Sequence, residues 1–174
     1  YILLINEIVL SWRKHGIKKS LLFLSLKYSS IKLSEYFSKY TDKKVFLTMG
    51  VDNLIKVFDE NYYTDLEGGI LEAFSKLFTK NITILLYPML QKNKIIDSSN
   101  LVVSRSMKNL YKYFVKNLRI LDISDYNRTY LSIFSWDVLK KIQSNQKGWE
   151  SSLPDNVSDL IKEKKLFGIN ELQW

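Results

Sequence analysis

The sequence predicts an α/β fold, a parallel sheet flanked by helices. Three observations carry this. First, short apolar runs such as VFLTM (Val45–Met49) and ITILLY (Ile82–Tyr87) are nearly continuous, as strands buried on both faces must be. Second, the segments between them place apolar residues at helical spacing. Third, the 174 residues contain only 6 Gly and 2 Pro, which favours long regular elements over a tight-turned sandwich. Strands alternating with helices then imply parallel pairing.

Residues 2–14 carry Ile2, Ile5, Ile8, Val9 and Trp12 on a helix-like face, with Gly16 as a stop just beyond. Ser20 to Leu26 (SLLFLSL) reads as a buried strand, and Ser30 can cap a helix over 31–40. The strand at Val45–Met49 runs into Gly50-Val51-Asp52 and a helix to about Phe58. A polar loop over 59–69 precedes a helix at 70–78, where Ile70, Leu71, Phe74, Leu77 and Phe78 are apolar. Ile82–Tyr87 is the next buried strand, ended by Pro88. Residues 89–106 are polar and irregular and read as a mobile loop insertion. A helix with Leu110, Tyr113, Phe114 and Leu118 leads to a strand near Ile120–Ile123. A further helix spans Ser135 to about Ser144. The last helix is expected from Pro154, which suits a first turn, to Gly168, with Val157, Leu160 and Ile161 facing inward.

Composition narrows the chemistry. With 46% hydrophobic residues, 11 Tyr and 9 Phe, core material is plentiful. The absence of Cys excludes disulfides, thiolate metal sites and cysteine catalysis. No run approaches the roughly 18 apolar residues of a membrane span, and YILLINEIVL does not read as a signal peptide. An intracellular location follows as an expectation, mitochondrial or cytoplasmic undecided. Lys+Arg number 26 against 18 Asp+Glu, a net +8, which suits anionic partners such as nucleotide phosphates, RNA or an acidic protein. Only Arg13, Arg105, Arg119 and Arg128 are Arg, and a Lys drift without any nucleic-acid role is the plainer reading of this charge.

Motifs for common chemistries are missing. His15 is the only His, so a multi-His metal site is impossible; a helix-end surface position suits it. Neither GxxxxGK[ST] nor GxGxxG occurs. Gly68-Gly69 reads as a loop before a helix, and Asp122, Asp125 and Asp137 as scattered surface acids rather than metal ligands. At Gly50-Val51-Asp52 a Gly at a strand end admits close ligand approach, and Asp52 can cap the helix or accept from a ribose hydroxyl. Trp136 and Trp149 read as core or rim aromatics, and Tyr62-Tyr63 as a pin for its loop.

The stretch from Leu131 to Gly168 resembles the tail of the nicotinate/nicotinamide mononucleotide adenylyltransferases, of the HxGH-class nucleotidylyltransferase superfamily. Leu153-Pro154, Val157, Leu160-Ile161 and Leu166-Phe167 match that tail at its spacing. Met49-Gly50-Val51-Asp52 matches the family's xxGxD strand end, VDNLIKVFDENYY its following helix, and Ser29-Ser30-Ile31-Lys32-Leu33 loosely a helix start. The resemblance covers about residues 28–168 and implies a Rossmann-like single domain over 1–174 whose first, central strand is missing. Without that strand backbone groups would go unpaired, so an upstream strand-turn-helix or a partner protein is expected to complete the sheet.

The departures fall on ligand positions. HxGH is absent. Against the family's ISSTxIR, Ser135 is kept, Trp136 stands at the Thr, and Leu139 at the phosphate-binding Arg. Arg to Leu removes five donors and a charge. The resemblance therefore implies a degenerate domain acting as a structural or binding subunit of a larger assembly, with no catalytic residue. The alternative is the C-terminal part of an active enzyme joining NMN or its acid to ATP with Mg²⁺. There Gly50, Asp52 and Ser135 would bind nucleotide, and Lys140 or Lys141 would replace the Arg. A third reading is an RNA-contacting module.

Overall fold

The structure, a computed structural model, describes residues 39, 41–79, 81–154 and 156–168. The helix expected over 2–14, the strand at 20–26 and all but one residue of the helix over 31–40 lie outside the described residues, as do Arg13, His15 and the 29–33 segment. The described chain falls into two compact units, one ending at Ser124 and one starting at Asp125.

The first unit is α/β. Strand β1 (Val45–Gly50) leads into helix α1 (Val51–Val57), a 3-10 turn (Glu60–Tyr63) and helix α2 (Gly69–Leu77). Strand β2 (Ile82–Tyr87) follows, then a hairpin of β3 (Met89–Gln91) and β4 (Lys94–Ile96), helix α3 (Lys108–Lys116) and strand β5 (Ile120–Asp122). The sheet order is β1-β2-β5 and both pairings are parallel. Val45 to Gly50 lie opposite Ile82 to Tyr87, and Ile84 to Leu86 opposite Ile120 to Asp122. All six residues of β2 are buried, which is why its run lacks polar alternation.

The core of this unit is aromatic. Phe58, 1% exposed, sits just past α1. It meets Phe74 of α2 edge-on at 4.9 Å and Tyr111 of α3 at 5.2 Å. Phe114 stacks on Phe78 at 4.0 Å and meets Phe74 at 5.3 Å. Each such pair contributes about 0.5–1.5 kcal/mol beyond area burial. Polar ties fix the strand starts. Asn81 Nδ2 donates to the carbonyls of Thr41 and Lys43 at 3.0 and 3.1 Å. The Arg119 guanidinium donates to the carbonyls of Phe78 and Thr79, satisfying acceptors at the end of α2. Tyr63 is buried and its hydroxyl donates to the Val57 carbonyl at 3.0 Å, so the 59–69 segment is pinned as expected of Tyr62-Tyr63. The glycine pair has a local reason: Gly69 has φ +55, and a Cβ on Gly68 would lie 2.8 Å from the Glu72 Cβ.

The second unit holds α4 (Ser135–Gln143), α5 (Val157–Glu163) and short 3-10 turns. Val138, Ile142, Trp149 and Ile161 form its core, with Ile133, Leu153 and Val157 packed against them. Lys162 lies over the Trp149 ring at 5.4 Å and pairs with Glu150 at 2.9 Å.

Three expectations need correction. Residues 89–106 contain the β3–β4 hairpin and a hydrogen-bonded turn, so the segment is ordered locally rather than irregular. The last helix begins at Val157, not near Pro154, because Asn156 takes a left-handed φ of 66. It ends at Glu163 rather than Gly168, since Lys165 and Phe167 also have positive φ. Leu160 is 43% exposed: Ile161 faces inward, and a neighbouring residue is turned about 100° away.

Phe58 joins α1 to α2 and α3. Phe58→Ala should lower unfolding stability by about 3–5 kcal/mol, read as an earlier urea midpoint at unchanged slope.

Candidate functional site

In open parallel sheets, ligands sit beyond the carboxyl ends of the strands. Here those ends are Gly50, Tyr87 and Asp122. Gly50 lies opposite Tyr87, while Asp122 lies opposite Leu86, so Asp122 stands one residue back from the Gly50–Tyr87 row. The Ile123 N–H continues the ladder to the Leu86 carbonyl at 2.9 Å.

Gly50 precedes α1 with φ −79 and ψ 167, an extended conformation open to any residue. Among the described residues a Cβ there would meet nothing within 4 Å. Neither backbone nor packing demands a glycine, and the space before it is open. Asp52 is half-buried in the first turn of α1. The helix has no side-chain cap, so Asp52 does not cap it.

The chain after β2 closes over the Asp122 end. Asn100 takes the Asp97 N–H at 3.1 Å and donates to the Ile95 carbonyl at 2.9 Å. Ser99 donates its N–H and hydroxyl to Asp97 at 2.9 and 2.6 Å. This turn delivers Ser98 to Asp122. One carboxylate oxygen accepts from the Ser98 N–H at 2.9 Å, the other from its hydroxyl at 2.5 Å. The Ser98 carbonyl in turn accepts from the Tyr111 hydroxyl at 2.8 Å. Asp122 thus spends both oxygens on fastening the loop.

Ser135 belongs to the other unit. It is exposed and stands first in α4, whose cap position is Phe134; no side chain caps that end. Ser135 is therefore not the helix cap, because the Val138 N–H bonds back to the Phe134 carbonyl at 3.0 Å and starts the helix one residue earlier. Trp136 is 60% exposed, stacked on Phe134 at 5.6 Å, while Trp149 is core as expected. Leu139, at the position matched to the phosphate-binding Arg, is 37% exposed. Asp137 pairs with Lys141 at 2.8 Å, so that lysine is already engaged.

The structure thus groups Gly50 and Asp52 at one strand end and sets Ser135 on a separate unit. Sequence reasoning missed Ser98. The Asp-Ser-Ser-Asn run is itself a turn signal, but its partner lies 24 residues away. Among the described residues no group of three His, Asp or Glu side chains could hold a metal ion, and no helix is long and apolar enough to cross a membrane. Comparison with family models, curated proteins and solved structures finds no match.

The Tyr111 hydroxyl is held above the usual phenol value of 10, first by burial and then by the charges of Asp122 and Asp97. The folded state keeps a proton that the unfolded chain releases near pH 10. Stability from this group is therefore present below pH 10 and lost as pH rises toward the folded value. Wild-type protein should lose more unfolding free energy than Tyr111→Phe between about pH 9.5 and 11.5. Urea titrations at several pH values read the difference; parallel losses would contradict it.

Proposed function

We propose that the chain is a degenerate mononucleotide adenylyltransferase-like domain, serving as a non-catalytic structural or binding subunit of a larger assembly. The observation that carries this reading is how the polar groups at the candidate positions are used. Transfer of an adenylyl group needs fixed donors and positive charge around a triphosphate. At the position matched to the phosphate-binding Arg stands Leu139, half-exposed and without a donor. Lys141, two residues on and therefore on the far side of the helix, is paired with Asp137, while Lys140 is exposed beside Leu139. At the sheet's carboxyl end, the Asp122 carboxylate is committed to Ser98. Neither place gathers the fixed donors and positive charge that a Mg²⁺-bound triphosphate needs.

What supports a retained binding or scaffold role is the survival of the packing positions. Of the positions that carry the family-like spacing, Leu153, Val157 and Ile161 pack in the core of the second unit, while Leu160, Leu166 and Phe167 are exposed. The open space beside Gly50 is the one feature that favours the active-enzyme alternative.

Calorimetry with ATP, Mg²⁺ and NMN, with pyrophosphate assayed in the same cell, separates the two. The expected result is no pyrophosphate and no saturable heat at about 1 mM ATP. Pyrophosphate release would overturn the non-catalytic reading. Native extracts fractionated by size should carry the chain in an assembly, and recovery as a monomer would overturn the subunit role.

A further inference from the structure

Helix α3 has two unlike faces. Tyr111 and Phe114 point into the aromatic core, with Met107 buried just before the helix. The opposite side carries Lys108, Lys112 and Lys116, all exposed, at a repeat of four residues. Four residues advance a helix by about 6 Å, so the three ammonium groups line one edge over about 12 Å. Exposed Arg105 precedes them by three residues, on the same side if the turn is followed back. Asn109 and Tyr113 flank the stripe, and the Tyr113 ring is 58% exposed.

Only Lys116, in the last turn, suits the helix dipole; the rest of the stripe works against the helix. Like charges four residues apart destabilise a helix. Lys108 is the first residue of α3 and Arg105 lies just before it, at the end where the helix dipole repels cations. No acidic residue lies within α3 to offset them. Elsewhere the helices balance themselves: Lys76 pairs with Glu72, Lys141 with Asp137 and Lys162 with Glu150. Among the described residues, Lys108, Lys112, Lys116 and Arg105 have no ion pair. Glu60, beside the start of the stripe, takes the Ser106 hydroxyl at 2.7 Å instead.

We propose that this face of α3 binds single-stranded nucleic acid. Charge complementarity selects a polyanion with regularly spaced charges, because three lysines at one repeat can each meet a successive phosphate. The exposed aromatic beside them selects nucleic acid over an acidic peptide: Tyr113 offers a ring on which a base can stack, and Asn109 adds a donor and an acceptor. The lysines bind as point charges without base readout, so recognition is of the backbone and tolerant of sequence. This inference stands independently of the adenylyltransferase-like reading, since α3 bears none of the matched positions.

Fluorescence anisotropy on the full chain, with labelled oligouridylate of about twelve nucleotides, tests it. At about 50 mM salt, wild-type protein should bind, and Lys108→Glu/Lys112→Glu/Lys116→Glu should weaken binding at least roughly tenfold. The slope of log affinity against log salt should shrink by about 2, at about 0.7 for each phosphate that no longer meets a lysine. A charge-matched control, Lys94→Glu/Lys147→Glu/Lys164→Glu, should weaken binding less than about threefold. Tyr113→Ala should weaken it about fivefold or more, with circular dichroism unchanged. Three results would overturn the proposal: no binding by wild type, equal losses in both triple variants, or equally tight, stripe-dependent binding of labelled polyglutamate.

Discussion

The first unit depends on the ring cluster around Phe58. Three helices of modest length, at seven, nine and nine residues, would be marginal alone. Their apolar faces meet at Phe58, Phe74, Phe78, Tyr111 and Phe114, where three edge-to-face pairs and the stacked Phe78–Phe114 pair make that meeting specific. Phe58 and Phe78 each stand just beyond the end of a helix. The point where each helix stops is therefore set by the same contact that holds it. Arg119 adds the polar counterpart, closing the end of α2 from the start of β5.

The strands and helices of this unit were legible because their burial is simple. A strand covered on both faces must be largely apolar, and β2 is, with Thr83 its one polar side chain before Tyr87. Helices with one packed face must repeat at three and four residues, and α2 does, through Ile70, Ala73, Phe74 and Leu77. Legibility fails where neighbours in sequence diverge in space. Trp136 looks like packing material, yet two residues along a helix is about 200° around it. With Val138 and Ile142 inward, Trp136 must face out. The final helix failed for a backbone reason: Pro154 suits a first turn, but the left-handed Asn156 postpones the helix.

The candidate site was readable in part. Gly50 and Asp52 were visible as a strand end meeting a helix start, and the structure keeps them there. Ser135 was visible through resemblance, and the structure places it first in α4, with the Phe134 carbonyl opening the helix. The Ser98–Asp122 tie was not readable at all. Each residue alone is ordinary; only parallel pairing of β2 with β5 brings the loop after one strand to the end of the other.

That tie also bears on how the two roles of α3 coexist. Tyr111 reaches Ser98, and Ser98 holds Asp122, so the inner face of α3 is bound both to the rings and to the sheet's carboxyl end. A helix anchored this firmly can carry a like-charged outer face that an isolated helix could not. The electrostatic penalty of the lysine stripe falls on a helix whose position is already fixed by packing. Release of that penalty on meeting an anion would then appear as binding affinity rather than as refolding. The aromatic core and the basic face are in this sense one arrangement: the first makes the second tolerable, and the second gives an outward-facing helix something to recognise.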